Sequence, residues 1–335
     1  MNLRPFLRAL LWPLSLLYGA AARARVWMYK KGWLKQKRLK AMVISVGNLT
    51  VGGTGKTPMV IWLAEKFLAE GKRVAILSRG YRGSKGTSDE IELMKFRLQN
   101  RVAFGVGRNR FEEGQRLEAQ QPIDIFLLDD GFQHLRLARD LDILLIDASR
   151  SMHGELLLPA GRLREPLSAM SRANLVVFTR TETVPGSLEA VEKLSHLPVF
   201  AASTELLGFR RYGGGIQLQS IEEIGDGPFF AFCGLGNPEA FFRDLQAWGL
   251  PICGRAVFPD HHRYTEQDVL QIKQAGEGSG AKAFVTTEKD EHNLRGLRIE
   301  ETAVYVSAID LAISPEADFG NVLGRLLSAK IGAAA

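Results

Sequence analysis

The stretch that most constrains this chain runs from residue 43 to residue 57 and reads VISVGNLTVGGTGKT. A β-branched apolar run enters a glycine-rich turn, and residues 58–69 follow with apolar side chains at helical spacing. A strand, a glycine loop and a helix in this order form a phosphate-binding loop, because backbone N–H groups and the helix N-terminus converge on an anion. A glycine-rich turn with a merely solvated lysine is the alternative, and it explains neither the GKT ending nor its position.

The loop therefore predicts nucleotide binding at Thr50, Val51, Gly52, Gly53, Thr54, Gly55, Lys56 and Thr57. Lys56 would reach the terminal phosphates of ATP, and the hydroxyl of Thr57 would ligate Mg²⁺. The general motif has glycine six residues before the lysine, where this chain has Thr50. The three glycines of the loop still supply the small residues beside the phosphates.

The chain has 335 residues, a length that suffices for about two domains. Its charged residues are unevenly distributed along the sequence. Residues 1–64 contain eleven Lys and Arg and no Asp or Glu, which leaves 32 bases against all 37 acids in the remainder. This pattern argues against a nucleic-acid-binding body and predicts a basic anchor at an anionic membrane surface. The two cysteines, Cys233 and Cys253, lie in no metal motif, which indicates buried reduced thiols of a cytosolic protein, with a disulfide between them as the alternative.

The N-terminus predicts an interfacial helix. The uncharged run Ala9–Ala22 has fourteen residues, and a membrane-spanning helix needs about 20. At helical spacing one face is apolar, with Arg4, Arg8 and Ser15 opposite; that face comprises Leu3, Phe6, Leu7, Leu10, Leu14, Leu17 and Tyr18. Two alternatives remain open: a secretory signal peptide, and a helix that packs on the protein's own core.

An apolar strand over residues 123–128 ends in Asp129 and Asp130. Acidic side chains at the tip of a buried strand beside a phosphate loop are where Mg²⁺ is held. Two adjacent carboxylates repel each other unless a cation lies near them. We therefore predict a Mg²⁺ site formed by Thr57, Asp129 and Asp130.

For two further titratable residues, the chemistry of the side chains alone allows both a structural and a catalytic role. Asp89 lies at the acidic start of a predicted helix, where a carboxylate often only complements the helix dipole. His261 lies in the segment 258–262, which reads FPDHH, and it could be a surface residue or a proton relay.

Eight motifs in order resemble the tetraacyldisaccharide 4′-kinase family, which phosphorylates a lipid A precursor. They are SVGNLTVGGTGKTP (45–58), SRGYRG (78–83), LLDDGFQH (127–134), RDLDILLID (139–147), LLPAGRLREP (157–166), FCGLGNP (232–238), FPDHH (258–262) and TTEKD (286–290). The resemblance implies Mg²⁺-ATP as donor and a glycolipid acceptor whose sugar 4′-hydroxyl is phosphorylated at the cytoplasmic face of the inner membrane.

The resemblance also implies site residues. The catalytic aspartate falls on Asp89, although the family's GDEP segment reads Ser88-Asp89-Glu90-Ile91 here. Its partner histidine falls on His261, with the neighbouring His262 as the other candidate. The resemblance extends to Arg79 and Glu165. Substrate contacts are predicted at these two residues and, apart from the resemblance, at Arg82, Arg110 and Gln133.

The predicted fold is α/β, with a P-loop NTPase-like, mostly parallel sheet flanked by helices and a second, smaller α/β lobe. We predict four segments: a membrane-associating segment 1–40, a nucleotide-binding core 41–205, a β-hairpin linker 206–222 and a C-terminal lobe 223–330. Residues 209–212 and 216–219 would form the two strands of the hairpin, around three glycines.

Two other functions compete with a lipid kinase. A membrane-associated, partitioning-type P-loop ATPase has a similar loop, but it needs lysine where this chain has Val51. A soluble small-molecule kinase would leave the basic apolar N-terminus without a use.

Overall fold

A computed structural model describes residues 5–80, 88–183, 197–297 and 303–334 of the chain. It divides into two compact units. The first unit contains residues 1–81, 98–203 and 311–335, and the second contains residues 82–97 and 204–310. Residues 88–97 therefore belong by their contacts to the second unit, although they lie in sequence between two parts of the first.

The first unit is built on a parallel sheet with the strand order β3-β2-β4-β1-β5-β6-β7. Its strands are β1 (Met42–Asn48), β2 (Val74–Ser78), β3 (Ala103–Val106), β4 (Ile125–Asp129), β5 (Leu141–Asp147), β6 (Leu175–Thr179) and the first part of β7 (Val199–Arg211). The predominantly apolar strands β2, β4, β5 and β6 are buried along their whole length, as expected for a parallel sheet covered on both faces. The predicted sheet is confirmed.

The helices of the first unit are α1 (Pro5–Lys30), α2 (Lys56–Ala69), α4 (Arg110–Gln120) and α8 (Glu316–Ala334). The inner face of α2 buries Met59, Leu63 and Phe67, which recur every four residues. A short 3₁₀ helix, Leu167–Arg172, precedes β6.

Helix α1 contacts the rest of the first unit through Ser15 and through Tyr18 of its predicted apolar face, and it leaves most of that apolar face exposed. The Ser15 hydroxyl donates to the carbonyl of Leu157 at 2.9 Å, and the Tyr18 hydroxyl donates to the carbonyl of Arg164 at 2.9 Å. Phe6, Leu10, Leu14 and Leu17 on the opposite side are all more than half exposed. Within the described ranges, we find no helix with the length and apolar content that a membrane crossing requires.

The second unit carries the parallel strands β11-β10-β8-β9. They are β8 (Phe229–Cys233), β9 (Ile252–Val257), β10 (Ala283–Thr287) and most of β11 (Val304–Ser314). The helices are α3 (Asp89–Leu98, in this unit up to Arg97), α5 (Pro238–Ala247), α6 (Glu266–Gly278) and α7 (Glu288–Leu294). Thr265 and Asp268 form a capping box at the start of α6. Both cysteines are free, and Cys233 is buried.

The predicted hairpin differs from the structure. Phe209, at the end of β7, forms one antiparallel bridge with Gln219, through hydrogen bonds of 2.8 and 2.7 Å. Residues 216–218 form no strand, so the second predicted strand is wrong. Gly213 and Gly215 both adopt positive φ, which suits glycine, and they lie in a wide turn between residues 209 and 219. Pairing is limited to Phe209 and Gln219, at the two ends of this turn.

Candidate functional site

The predicted phosphate loop connects β1 to α2, and its conformation is fixed from two directions. Gly55 immediately precedes α2 with φ of 78°, a left-handed conformation that suits glycine. The Thr179 hydroxyl, at the end of β6, donates to the carbonyl of Thr54 at 3.2 Å. On the other side, the amide of Val51 donates to the carbonyl of Arg162 at 2.8 Å. The segment 157–166 and strand β6 therefore hold this loop in place.

Two acidic residues end strand β4, and their environments differ. Asp129 is buried and accepts a hydrogen bond from the Ser78 hydroxyl at 3.1 Å. Asp130 adopts a left-handed φ of 48°. Its carboxylate accepts two hydrogen bonds from Nη1 of Arg164, at 2.7 and 2.9 Å, and lies 3.6 Å from Nζ of Lys56.

Positive charge governs the ionisation of Asp130. Burial alone would raise its pKa, but the charges of Lys56 and Arg164 hold the pKa of this carboxyl below its ordinary value. Asp130 is therefore ionised at neutral pH. Among the described residues, no group of three His, Cys, Asp or Glu side chains is arranged around a common metal position.

The turn after Asp130 packs directly on strand β1. A Cβ atom added to Gly47 would lie 2.6 Å from Cβ of Phe132 and 2.7 Å from its backbone nitrogen. Only glycine allows the two segments to approach this closely. Gly47 thus sets the position of the turn that carries Asp130.

In the second unit, Asp89 and His261 form a close pair. Nδ1 of His261 lies 2.8 Å from Oδ2 and 3.1 Å from Oδ1 of Asp89. Because an ionised carboxylate only accepts hydrogen bonds, Nδ1 carries the proton. The Asp89 side chain is 6% exposed, and that of His261 is 30% exposed.

Each member of this pair shifts the pKa of the other. Burial would raise the pKa of Asp89, but the hydrogen bond from His261 and the charge of Lys289 lower it below its ordinary value. The hydrogen bond to Asp89 raises the pKa of His261, against the opposing effect of burial. The pair consequently favours a carboxylate and an imidazolium.

The structure distinguishes the two adjacent histidines. His262 stacks on Phe258 with ring centroids 4.8 Å apart, and its Nε2 lies 3.1 Å from Asp268, the capping residue of α6. His262 therefore belongs to a packed aromatic cluster, whereas His261 alone of the two contacts Asp89.

Helix α3, which begins at Asp89, contacts helix α7 at both of its ends. Nζ of Lys289 lies 3.0 Å from Glu90, and Nη1 of Arg97 lies 3.1 Å from the buried Glu288. The amide of Asn293 lies 3.5 Å from Oδ2 of Asp89. Sequence reasoning assigned no role to these residues of α7, although the TTEKD motif that begins the helix was the signal that could have found them.

Comparison with known proteins identifies the family. The family model described as "Tetraacyldisaccharide-1-P 4'-kinase" matches residues 7–328. The chain belongs to this family. The membership does not favour a partitioning-type ATPase switch.

Relatives in the kinase family match along nearly the whole chain. A tetraacyldisaccharide 4′-kinase from Pelobacter propionicus is 38% identical over 340 residues, which cover 96% of this chain and 93% of that protein. A second, from Geobacter metallireducens, is 36% identical over 337 residues, which cover 95% and 98% of the two chains. The crystal structure of the "apo" form of LpxK from Aquifex aeolicus in complex with ATP superposes with a TM-score of 0.77 at 33% identity, covering 96% of this chain and 99% of that one.

The predicted substrate contacts lie in different surroundings. Arg79 is exposed directly after β2, and Arg82 lies outside the described residues. Arg110 is buried and donates to the carbonyl of Asp129 at 3.2 Å and to Nδ1 of His134 at 3.1 Å. These contacts with substrate remain predictions.

Gln133 and Glu165 are engaged within the first unit. The side-chain amide of Gln133 donates to the carbonyl of Asn48 at 2.9 Å. Glu165 is buried and accepts two hydrogen bonds from Arg172, which also lies over the ring of Phe132 at 4.5 Å. The contacts of Gln133 and Glu165 with substrate also remain predictions.

Proposed function

We propose that this chain transfers the γ-phosphate of ATP to the 4′-hydroxyl of a tetraacyldisaccharide 1-phosphate, a lipid A precursor. The observation that carries the proposal is the match to the kinase family over residues 7–328. The phosphate loop and the Asp89–His261 pair supply the two kinds of chemistry that such a transfer needs: phosphate binding and proton acceptance.

The loop from Thr50 to Thr57 would bind the phosphates of ATP. Its glycines leave the backbone N–H groups accessible, and α2 directs its positive end toward the same place. Lys56 begins α2 and is only 12% exposed, so its charge is held close to the loop. This charge would offset negative charge that develops on the transferring group.

The oxygen ligands for Mg²⁺ would come from Thr57, Asp129 and Asp130. Hydroxyl and carboxylate oxygens are the ligands that this ion prefers, and Asp130 is held ionised by its basic neighbours. When bound, Mg²⁺ neutralises charge on the β- and γ-phosphates. Arg164 fixes the carboxylate of Asp130 through two hydrogen bonds and so limits its rotation.

Asp89 would accept the proton of the sugar hydroxyl. Its pKa lies below the ordinary value, so the carboxylate is ionised and able to accept a proton at neutral pH. In phosphoryl transfer the proton moves late and positioning carries most of the effect, so a raised pKa is not required. His261 would hold the carboxylate in orientation through Nδ1.

Helix α1 would hold the protein at the cytoplasmic face of the inner membrane, where the acyl chains of the substrate remain in the bilayer. Its exposed apolar side suits insertion into the headgroup boundary. The bases that follow, from Arg23 to Lys40, would be attracted to anionic lipid at about 1 kcal/mol each near the surface.

Mass spectrometry of the lipid tests this proposal directly. A tetraacyldisaccharide 1-phosphate incubated with the protein and Mg²⁺-ATP should gain one phosphate group, and NMR of the product should place it on the 4′-oxygen. Protein with Lys56→Met and reactions without ATP are the controls. Binding of ATP without a phosphorylated lipid would refute the proposal, and equal ATP turnover with and without lipid would point to an ATPase.

A further inference from the structure

Asp290 is a buried carboxylate that none of the chemistry above uses. It is 1% exposed and lies in the first turn of α7, after the capping residue Thr287. A carboxylate removed from water needs hydrogen-bond donors. Asp290 has three: the amide of Gly234 at 2.8 Å, the hydroxyl of Tyr264 at 2.9 Å and the hydroxyl of Thr287 at 2.6 Å. These donors come from three separate segments of the second unit.

Gly234 connects Asp290 to His261. Its N–H donates to Oδ1 of Asp290, and its carbonyl accepts the backbone N–H of His261 at 3.2 Å. Gly234 follows β8 directly, so it lies at the end of a buried strand. The backbone of His261 is therefore tied to the buried carboxylate through a single intermediate residue.

The segment around His261 packs tightly on Gly234. A Cβ atom at position 234 would lie 3.0 Å from the carbonyl oxygen of Pro259, 3.1 Å from Oδ1 of Asp290 and 3.2 Å from Cβ of His262. A shift of Gly234 would consequently displace the whole turn from residue 259 to residue 262.

His261 needs such support because of its backbone conformation. Its φ is +60°, in the left-handed region that a residue with a side chain seldom adopts. Conformations of this kind persist where the surroundings fix them. The left-handed turn is also what separates the two histidines, since it directs His261 to Asp89 while His262 stacks on Phe258.

We propose that Asp290 is a positioning residue, which acts through Gly234 to hold the His261 imidazole against Asp89. In the part of the chain that the structure describes, no hydrogen bond joins its carboxylate to either of the two side chains. The adjacent Lys289 binds Glu90 at 3.0 Å, so the same turn of α7 also fixes the residue next to Asp89. This inference rests on the proposed function, in which the Asp89–His261 pair handles the hydroxyl proton.

The test compares Asp290→Ala with Asp290→Asn in the full chain. The asparagine keeps an oxygen acceptor for Gly234 and Tyr264, whereas alanine removes it. In Asp290→Ala, we expect the His261 imidazole, followed by NMR, to titrate closer to its ordinary value as its contact with Asp89 weakens. The kcat should fall on the order of 10²-fold, since small misplacements of a catalytic group have effects of this size, with KM for ATP unchanged. Asp290→Asn should restore both quantities.

Asp268→Ala is the matched control. Asp268 caps α6 and contacts His262, so its loss also removes a carboxylate beside a histidine of the same segment. We expect this variant to lower stability and leave the titration of His261 unchanged. If both aspartate variants move the His261 titration equally, the positioning role of Asp290 is wrong.

A second variant keeps the inference testable if Asp290→Ala does not fold. Gly234→Ala leaves the carboxylate in place and displaces the turn, so it should move the His261 titration in the same direction. An unchanged His261 titration in folded Asp290→Ala or Gly234→Ala would overturn the inference. The titration needs no substrate, so failure of the proposed kinase activity would be recognised separately, in wild-type protein that phosphorylates no lipid.

Discussion

Nδ1 of His261 lies 2.8 Å from the carboxylate of Asp89, although 172 positions separate the two residues in sequence. The contact fixes one ring nitrogen of the histidine, and Nε2 on the other side of the ring lies 3.8 Å from Asp260. Two carboxylates of the second unit thus face this imidazole, which explains why its pKa is raised although the ring is partly buried.

Replacement of Asp89 should separate catalysis from nucleotide binding. Asp89→Asn keeps the size of the side chain and removes its capacity to accept a proton, so we expect kcat to fall about 10²- to 10⁴-fold with the Kd for ATP unchanged. Steady-state kinetics and calorimetry measure the two quantities. Glu92→Gln is the control, since Glu92 lies on the same helix and forms ion pairs with the basic side chains Lys95 and Arg295. Comparable losses in kcat and ATP affinity would argue against a base role.

The same pair should make stability depend on pH in a defined window. The pKa of His261 in the folded state lies above its ordinary 6.5, so its contribution is complete below about pH 6.5 and is lost as pH rises through the raised value. The pKa of Asp89 lies below 3.8, so its contribution is present above about pH 3.8 and is lost as pH falls through the lowered value. The ion pair therefore stabilises the fold between these limits.

Urea unfolding of the wild type and of His261→Gln measures this effect. The difference in free energy of unfolding between the two proteins should be larger at about pH 5.5 than at about pH 9, because the imidazolium is lost at the higher pH. An equal difference at both pH values would mean that His261 contributes through packing alone.

The sequence predicted the first unit well because its signals are local. Strands β2, β4, β5 and β6 are predominantly apolar and buried along their whole length, and such segments can be recognised in the sequence without tertiary information. Strand β9 was not predicted, because it is only partly covered and its sequence, ICGRAV, contains a glycine and an arginine. The phosphate loop was predicted since its residues are adjacent in the chain.

The site in the second unit could not be predicted from local patterns. The spacing of apolar residues gives no information about a contact between Asp89 and His261. Only the family resemblance predicted that these two residues act as partners. The choice between His261 and His262 depends on a backbone angle, and both residues follow the same Pro-Asp pair in the sequence. Asp290 occupies a position in a helix first turn that acidic residues commonly take, so its link to Gly234 leaves no sequence signal.

Lys56 and Lys66 lie on the same helix, and they should respond differently to substitution. Lys56→Met removes the charge beside the phosphate loop, and we expect kcat to fall about 10²- to 10³-fold, as for loss of one electrostatic stabiliser. Lys66 pairs with Glu70 one turn later at 2.9 Å, and Lys66→Met should change activity little and stability by about 0.5 kcal/mol or less. Kinetics with the lipid substrate compare the two variants, and similar activities would contradict the assigned role of Lys56.

Gly47→Ala should destabilise the first unit without touching any predicted ligand. The added methyl group would lie 2.6 Å from Cβ of Phe132 in a packed region, and overpacking of this kind costs about 1–3 kcal/mol. Gly324→Ala is the opposite control, because its Cβ meets nothing within 4 Å and alanine favours the helix. Thermal unfolding should therefore show a lower Tm for the first variant and an equal or higher Tm for the second. Equal effects would mean that the turn after Asp130 does not depend on its approach to Gly47.

The proposed membrane role of α1 depends on leucines that the protein itself leaves uncovered. Leu14 and Leu17 are 52% and 69% exposed, whereas Ser15 between them is 4% exposed and bonded to the carbonyl of Leu157. Burial of one leucine in an apolar environment contributes about 1.5–3 kcal/mol, so the double variant Leu14→Glu, Leu17→Glu should weaken binding to vesicles by at least about 100-fold.

Flotation with vesicles that contain anionic lipid measures this loss of binding, and neutral vesicles show the share of binding that is due to the basic residues. Leu270→Glu, on α6 and 54% exposed, is the matched control that should float as the wild type does. Unchanged flotation of the double variant would remove α1 as the membrane contact, since the serine side of the helix is already occupied by the protein.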